Sequence, residues 1–305
     1  VKIFVTGHTG FVGRHLISRL RAAEYEVVVP GGRIELQNIA SLVDHFSGCD
    51  VVFHCAGFAH ADDDGSRQFA EQHWAINYQG AVNVAEAAVK AKVKRLIFVS
   101  TSKAVADAPE ILIDEKFNAE PTSAYGKAKR AAEEMLQKIC AANYIELVII
   151  RPVMIYGRDG KGNLLRMWNA VQRNRFPPLP EGGARSLVHI DDVVEALLLS
   201  ATSPKAAGQT YILAHPEPVN TRGIYLLMRK LCGMSEISWF IPDSLLKLLA
   251  VIGDLAGVLL KKSVPFNRSV YQKLMQPAVY SADKISQHLG WKPRVGIEAG
   301  LRSMQ

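Results

Sequence analysis

Two hydrophobic patterns alternate through the first half of the chain. Residues 1–6, 26–29, 50–55, 95–100 and 145–150 are short, mostly apolar and β-branched runs. Strands buried on both faces look like this, continuous rather than strictly alternating. Between them, residues 11–23, 39–46, 75–91 and 124–142 have helical spacing, with Leu16, Ile17 and Leu20 on one face of the first. Parallel strands need long crossovers, and helices supply them. The pattern predicts an α/β fold on a doubly wound parallel sheet with right-handed crossovers.

Past residue 151 the pattern loosens. Pro177, Pro178, Pro180, Gly182 and Gly183 mark a long loop. Residues 186–190 are strand-like, 191–201 form a helix capped by acidic residues, and 210–213 are a further strand. From Pro242 the chain turns helical and leucine-rich. Residues 1–155 therefore form a cofactor-type domain, with later segments near 185–201 returning to it. Residues 156–305 form most of a smaller, interleaved C-terminal α/β substrate domain.

A glycine loop follows the first strand: Gly7-His-Thr-Gly10-Phe-Val-Gly13, then a helix. The first glycine permits a tight turn, the second lets a pyrophosphate approach the backbone, and the third lets helix and strand pack. The helix N-terminus offers free N–H groups to phosphates. This points to a dinucleotide. An acidic residue closing the second strand would select NAD, but that strand runs Val29-Pro30-Gly31-Gly32-Arg33. Arg33 suits the 2′-phosphate of NADP or is a solvated loop residue, so the cofactor is NAD or NADP.

Composition now adds limits. The chain has 305 residues, 49% apolar and 21% charged, enough for a large core. That excludes a disordered, collagenous or disulfide-stapled class. The net charge of +7 suits an anionic small ligand, an acidic membrane or nucleic acid. No RNP, zinc-finger or helix-turn-helix pattern supports nucleic acid. Cys49, Cys55, Cys140 and Cys232 show no CxxC spacing, and free thiols imply a reducing, cytoplasmic setting. No metal motif accompanies His8 or His60, so no metal is expected. Asp62, Asp63 and Asp64 form a solvated loop. No signal peptide opens the chain, and Val1 already starts a strand, so a few residues are expected to precede it.

Tyr125-Gly-Lys-Ala-Lys129 opens a predicted helix. Positions i and i+4 share a face, so Tyr125 and Lys129 can meet one ligand. A neighbouring ammonium is expected to lower the phenol's pKa from near 10 and fit Tyr125 for acid–base work. Thr101 and Ser102 close the strand before it, where hydroxyls face the ligand crevice.

In order along the chain, GHTGFVG (7–13), HCAG (54–57), INYQG (76–80), FVSTS (98–102), YGKAK (125–129), RPVMIYG (151–157) and RSLVHIDDV (185–193) resemble the extended short-chain dehydrogenase/reductases of the NAD-dependent epimerase/dehydratase group. The resemblance implies a Rossmann domain with a small substrate domain, usually as a homodimer. It implies Tyr125 as the catalytic acid/base, Lys129 on the nicotinamide ribose, and Thr101 as the catalytic hydroxyl with Ser102 its competitor. Gly7, Gly10, Phe11, Val12 and Gly13 would cradle the cofactor. Glu35 and Leu36 match the pair that meets adenine, Ala56 and Gly57 pass along the cofactor, and Asn77 supports the site from its helix. Asn163 and Arg185 match positions that meet the diphosphate and nucleoside of a nucleotide sugar.

Within the group the chain is most similar to bacterial surface-polysaccharide members. These include 4-epimerases of UDP-hexoses or UDP-N-acetylhexosamines and reductases of UDP-4-keto-6-deoxy sugars. The shared chemistry is hydride transfer at sugar C4. A cofactor-binding sensor or scaffold that has lost catalysis is the rival from another class. Val105-Ala106-Asp107 departs from the family's usual Tyr-Gly after its Ser/Thr strand. Residues 244–260 remain. Leu248, Leu249, Ile252, Leu255, Ala256 and Leu259 form one helical stripe, expected to pack into the core. With Lys261 and Lys262 behind it, the alternative is peripheral contact with a membrane. No run of about 18 uninterrupted apolar residues exists to span one.

Overall fold

The computed structural model describes residues 1–59, 67–105, 111–160, 162–260, 264 and 266–304. His60, the acidic run 62–64, Ala106, Asp107, Lys261 and Lys262 lie outside them. The elements run β1 (Lys2–Thr6), α1 (Phe11–Ala22), β2 (Glu26–Val28), α2 (Ile39–Phe46), β3 (Val51–His54), α3 (Arg67–His73), a π-turn (Trp74–Gln79), α4 (Gly80–Lys90), β4 (Arg95–Val99), a short 3₁₀ turn (Ser102–Ala104), α5 (Ala124–Ala142) and β5 (Glu146–Pro152). There follow β6 (Met154–Tyr156), α6 (Asn163–Gln172), β7 (Leu187–His189), α7 (Ile190–Thr202), β8 (Thr210–Leu213), α8 (Thr221–Leu231), α9 (Asp243–Leu260), α10 (Arg268–Met275), α11 (Asp283–Leu289) and α12 (Ile297–Arg302).

Six strands pair in parallel in the order β2-β1-β3-β4-β5-β8. Successive residues serve opposite faces. Ile3, Val5, Ile97, Val99, Val148 and Ile150 pack with Leu16 and Leu20 of α1 and Val193 and Leu197 of α7. Phe4, Leu96, Phe98, Leu147 and Ile149 pack with Phe46, Val84, Ala132 and Leu136 of α2, α4 and α5. Both faces are covered, which is why the strands lack a polar phase. The order reverses at β1, so the crevice between the carboxyl ends of β1 and β3 is the switch point where open α/β sheets bind ligands.

A second, two-stranded sheet pairs β6 with β7. It joins a third core in which Tyr156, Leu187, Trp168, Tyr225 and Met228 meet. The chain crosses between the units repeatedly. α7 packs in the large unit, and β8, beyond the segments expected to return, is the main sheet's sixth strand. α7 is capped by the His189 side chain rather than by its acids. Asp192 instead accepts from the N–H groups of Arg294 (2.7 Å) and Val295 (3.3 Å), pinning the C-terminal segment.

Two expectations fail here. The helix over 75–91 is not uniform: residues 74–79 take a π-turn, which spacing in the sequence does not reveal. The stripe on α9 is not core. Leu248, Leu249, Ile252, Leu255 and Leu259 are exposed, while Leu246 and Ala250 make the packed side. α9 packs on α10 by a narrow face, and most of its apolar surface is left uncovered by the described residues.

Candidate active site

The glycine loop ends β1. Gly7 has φ +66°, and a Cβ on it would sit 2.5 Å from the Ala56 nitrogen, so the loops after β1 and β3 touch only because Gly7 lacks a side chain. A Cβ on Gly13 would meet the Gly7 carbonyl oxygen at 2.2 Å. Gly10 donates its N–H to that oxygen (2.8 Å) and caps α1 without a side-chain bond. The first-turn donors of α1, from Phe11 to Gly13, therefore stay open. Thr6 accepts from the Ala56 N–H (3.3 Å) and gives its proton to His54 Nδ1 (2.7 Å). Burial holds the His54 pKa down to about 3, so that imidazole is neutral.

Asn77 sits in the π-turn, fully buried. Its Oδ1 accepts from the Phe58 N–H (2.7 Å), and its Nδ2 donates to the Phe58 carbonyl (2.8 Å) and to His73 Nδ1 (3.0 Å). Its polar atoms are spent fixing the loop that carries Ala56 and Gly57. Leu36 is core: its side chain lies against Gly80, and its carbonyl accepts from Asn83 (2.9 Å). Glu35 and Arg33 are exposed, and no carboxylate pairs with Arg33 among the described residues.

Ser123 caps α5 through the Gly126 N–H (3.2 Å), which sets Tyr125 and Lys129 one turn apart. A Cβ on Gly126 would lie 2.5 Å from the Lys103 carbonyl oxygen, so the helix start can press against the 3₁₀ turn. That approach brings the Thr101 hydroxyl toward the Tyr125 phenol, near enough to offset part of the rise in its pKa. Ser102, one residue on, is buried in the turn. His73 flanks Tyr125 with ring centroids 5.5 Å apart. Lys129 is buried; its Nζ donates to the Val99 carbonyl (2.8 Å) and stands 4.3 Å from the Phe98 ring centroid.

The electrostatics correct one expectation. The Tyr125 pKa is not lowered. Burial pushes it up to about 12, and the Thr101 hydroxyl opposes this only in part. Desolvation outweighs a cation whose ammonium is turned to Val99. Burial also lowers Lys129 to about 8, against the pull of Glu133. Glu133 itself accepts from Arg151 Nε (3.0 Å) in a buried pair. In the sequence His54 and Arg151 stand out only as the first residues of HCAG and RPVMIYG, and Thr6, His73 and Glu133 have no role to read, because what each bonds is visible only once the strands and helices are adjacent.

On the other side, Arg185 bridges Val219 and Ala278. Burial lowers its pKa, and no carboxylate pairs with it among the described residues. Asn163 is exposed at the start of α6, whose cap, Gly162, makes no side-chain bond. No hydrogen bond joins Asn163 to Arg185 among the described residues.

Residues 3–214 match the model of the NAD dependent epimerase/dehydratase family. The chain belongs to that family. It is accordingly an NAD(P)-dependent enzyme with NAD or NADP as cofactor. It is 28% identical over 322 residues to a UDP-glucose 4-epimerase of Vibrio cholerae, an alignment spanning 98% of this chain and 93% of that protein. It is also 28% identical over 330 residues to a 4-hydroxy-2-methyl-3-oxo-4-farnesyl-3,4-dihydroquinoline-1-oxide ketoreductase of Stigmatella aurantiaca, spanning 100% and 96%. The UDP-glucuronic acid 4-epimerase from Bacillus cereus, solved with NAD, superposes with a TM-score of 0.78 at 19% identity, covering 100% of this chain and 97% of that one.

The crevice suits the family's cofactor. Open donors at the start of α1 fit a pyrophosphate. The Ser100 hydroxyl, at the end of β4, is buried with no hydrogen-bond partner among the described residues. The Lys129 ammonium would lie only 3.8 Å from a Cβ on Gly57, so the cation borders the loop along which a dinucleotide passes in this fold.

Proposed function

We propose that the protein is a nucleotide-sugar 4-epimerase, acting on a UDP-hexose or UDP-N-acetylhexosamine in surface-polysaccharide synthesis. The observation that carries this reading is the convergence of Thr101, Tyr125 and Lys129 at the carboxyl edge of the sheet, where the start of α5 presses on the turn after β4 and Tyr125 and Lys129 stand one helical turn apart. Such a set manages the proton of a carbinol that becomes a ketone. When bound, the cofactor would supply a reversible hydride acceptor at the carbinol carbon, with the hydride returned to the opposite face of the ketone. Thr101 holds the O4 oxygen, and Tyr125 takes its proton and later gives it back. Lys129, anchored on the Val99 carbonyl, holds the ribose. Gly7, Gly10, Phe11, Val12 and Gly13 hold the pyrophosphate, and Asn77 keeps Ala56 and Gly57 in register with them. Arg185, half-buried and without a carboxylate, takes the sugar diphosphate, with Asn163 beside the nucleoside. The Vibrio cholerae and Bacillus cereus relatives support this substrate class.

A second reading, an NADPH-dependent reductase of a UDP-4-keto-6-deoxy sugar, is favoured by one observation. Arg33 is exposed where the second strand ends without a carboxylate, which suits a 2′-phosphate. The ketoreductase relative agrees with it.

The test is incubation of the purified protein with UDP-glucose and UDP-N-acetylglucosamine, without added cofactor, followed by separation of the C4 epimers. Epimer formation lost in Tyr125→Phe supports the first reading. Stoichiometric NADPH consumption on a 4-keto sugar, with no epimer formed, transfers the assignment to the reductase. The implied homodimer is checked by sedimentation equilibrium.

A further inference from the structure

Helix α9 carries two faces, and both are apolar. Leu246 and Ala250 are buried, and a Cβ on Gly253 would lie 1.9 Å from the Phe266 carbonyl oxygen, so this side is packed tightly. The opposite side is a single stripe at helical spacing: Leu248 (55% exposed), Ile252 (51%), Leu255 (61%) and Leu259 (74%). Leu245 and Leu249 widen it. Trp239, just upstream, is also exposed. A contiguous apolar surface of this kind marks an interaction site.

We propose that this face docks the protein on an anionic lipid bilayer, with α9 lying in the interfacial plane. The charges around it select that occupant. Residues 239–275 contain Lys247, Lys261, Lys262, Arg268 and Lys273 against only Asp243 and Asp254. Asp243 pairs with Lys247 (2.8 Å) and Asp254 with Arg268 (3.4 Å), so this stretch of sequence carries a surplus of three positive charges. An exposed apolar stripe in a stretch of sequence with surplus positive charge is what an interfacial helix presents to acidic headgroups. A tryptophan at its edge suits the headgroup level. A second copy of the chain fits less well, because a two-fold contact would set the same surplus of positive charge against itself. Spanning is not at issue, since no described helix is long and apolar enough to cross a membrane. This inference is independent of which sugar the active site takes.

The experiment is co-sedimentation of the full chain with vesicles of phosphatidylcholine and phosphatidylglycerol, and with phosphatidylcholine alone. Binding is expected to the anionic vesicles and to fall with added salt. Leu248→Glu and Leu255→Glu each weaken it about tenfold or more, and Lys247→Gln about fivefold. All three are surface changes, so thermal melting and turnover on soluble substrate stay at wild-type level. A blue shift of tryptophan emission on binding is lost in Trp239→Phe. Absence of sedimentation with anionic vesicles overturns the proposal. So does self-association that Leu248→Glu abolishes while wild type ignores lipid, which would assign the face to a second copy.

Discussion

Lys129 donates to the carbonyl oxygen of Val99 over 2.8 Å, and this bond ties α5 to the end of the strand beside it. It also explains why the sequence misleads about Tyr125. Sharing a helix face brings two residues near one ligand, but it does not decide where a flexible ammonium points. Here the cation is anchored beneath the site, and the phenol stays high at about 12.

The buried ammonium leaves a signature in stability. Lys129 has a folded pKa near 8 against an ordinary value of 10.5, so between those values the unfolded chain binds more protons. Stability contributed by this site therefore rises with pH through that window, by up to about 1.4 kcal/mol per unit. Urea unfolding of wild type and Lys129→Met at about pH 8 and about pH 10.5, the two ends of that window, should show wild type gaining on the variant. An unchanged difference would mean that the ammonium is better solvated than its burial implies.

Tyr125→Phe should lower kcat by about 10² to 10⁴, the usual worth of a positioned acid–base group. Thr101→Val should lower it by about tenfold to a hundredfold, as for a lost hydrogen bond to a group that carries charge. Ser102→Ala should leave it near wild type, since Thr101 is the hydroxyl that acts on the phenol's pKa and Ser102 is buried in the turn. Steady-state kinetics on the three variants decide the matter, and a collapse in Ser102→Ala alone would move the role to that residue.

Glu133 and Arg151 form a buried pair behind Lys129. Glu133→Ala should cost about 3–5 kcal/mol by stranding the guanidinium, whereas Glu133→Met with Arg151→Met should recover most of it. The double variant also removes the negative charge that supports Lys129. Its pH–rate profile should therefore lose activity at lower pH than wild type does, an effect that mere loss of stability would not produce.

Arg33 and Arg185 separate cofactor from substrate. Arg33→Ala should raise the KM for NADPH about tenfold or more and spare that for NADH, because only NADPH carries the 2′-phosphate. Arg185→Ala should raise the KM for a UDP-sugar about tenfold to a hundredfold, with little change for either cofactor. Initial rates with each varied in turn check both, and equal loss on NADH and NADPH would remove Arg33 from cofactor selection.

The sheet was legible because its signal is local and repeated. A strand buried on both faces must be apolar throughout, and 95–100 or 145–150 allow little else. The glycines of 7–13 were legible because two loops meet there at distances only glycine permits. Asn77 was legible as a residue near the site through its resemblance to a family pattern, but its task was not. It grips the Phe58 backbone through a π-turn that has no period of its own to read. Arg151 and Glu133 were opaque because their pairing joins a strand to a helix.

By itself, then, the sequence determined the parallel α/β architecture, the dinucleotide loop and the Tyr125/Lys129 spacing, all properties of neighbouring residues and periodic burial. Only the tertiary structure decided that Thr101 meets the phenol, that burial raises Tyr125 and lowers Lys129, and that the leucines of α9 face outward. Desolvation and exposure are set by what other elements place around a residue. Helical periodicity gave the same stripe on α9 for a core helix as for an interfacial one, and only the packing of Leu246, Ala250 and Gly253 against the fold showed which side remained uncovered.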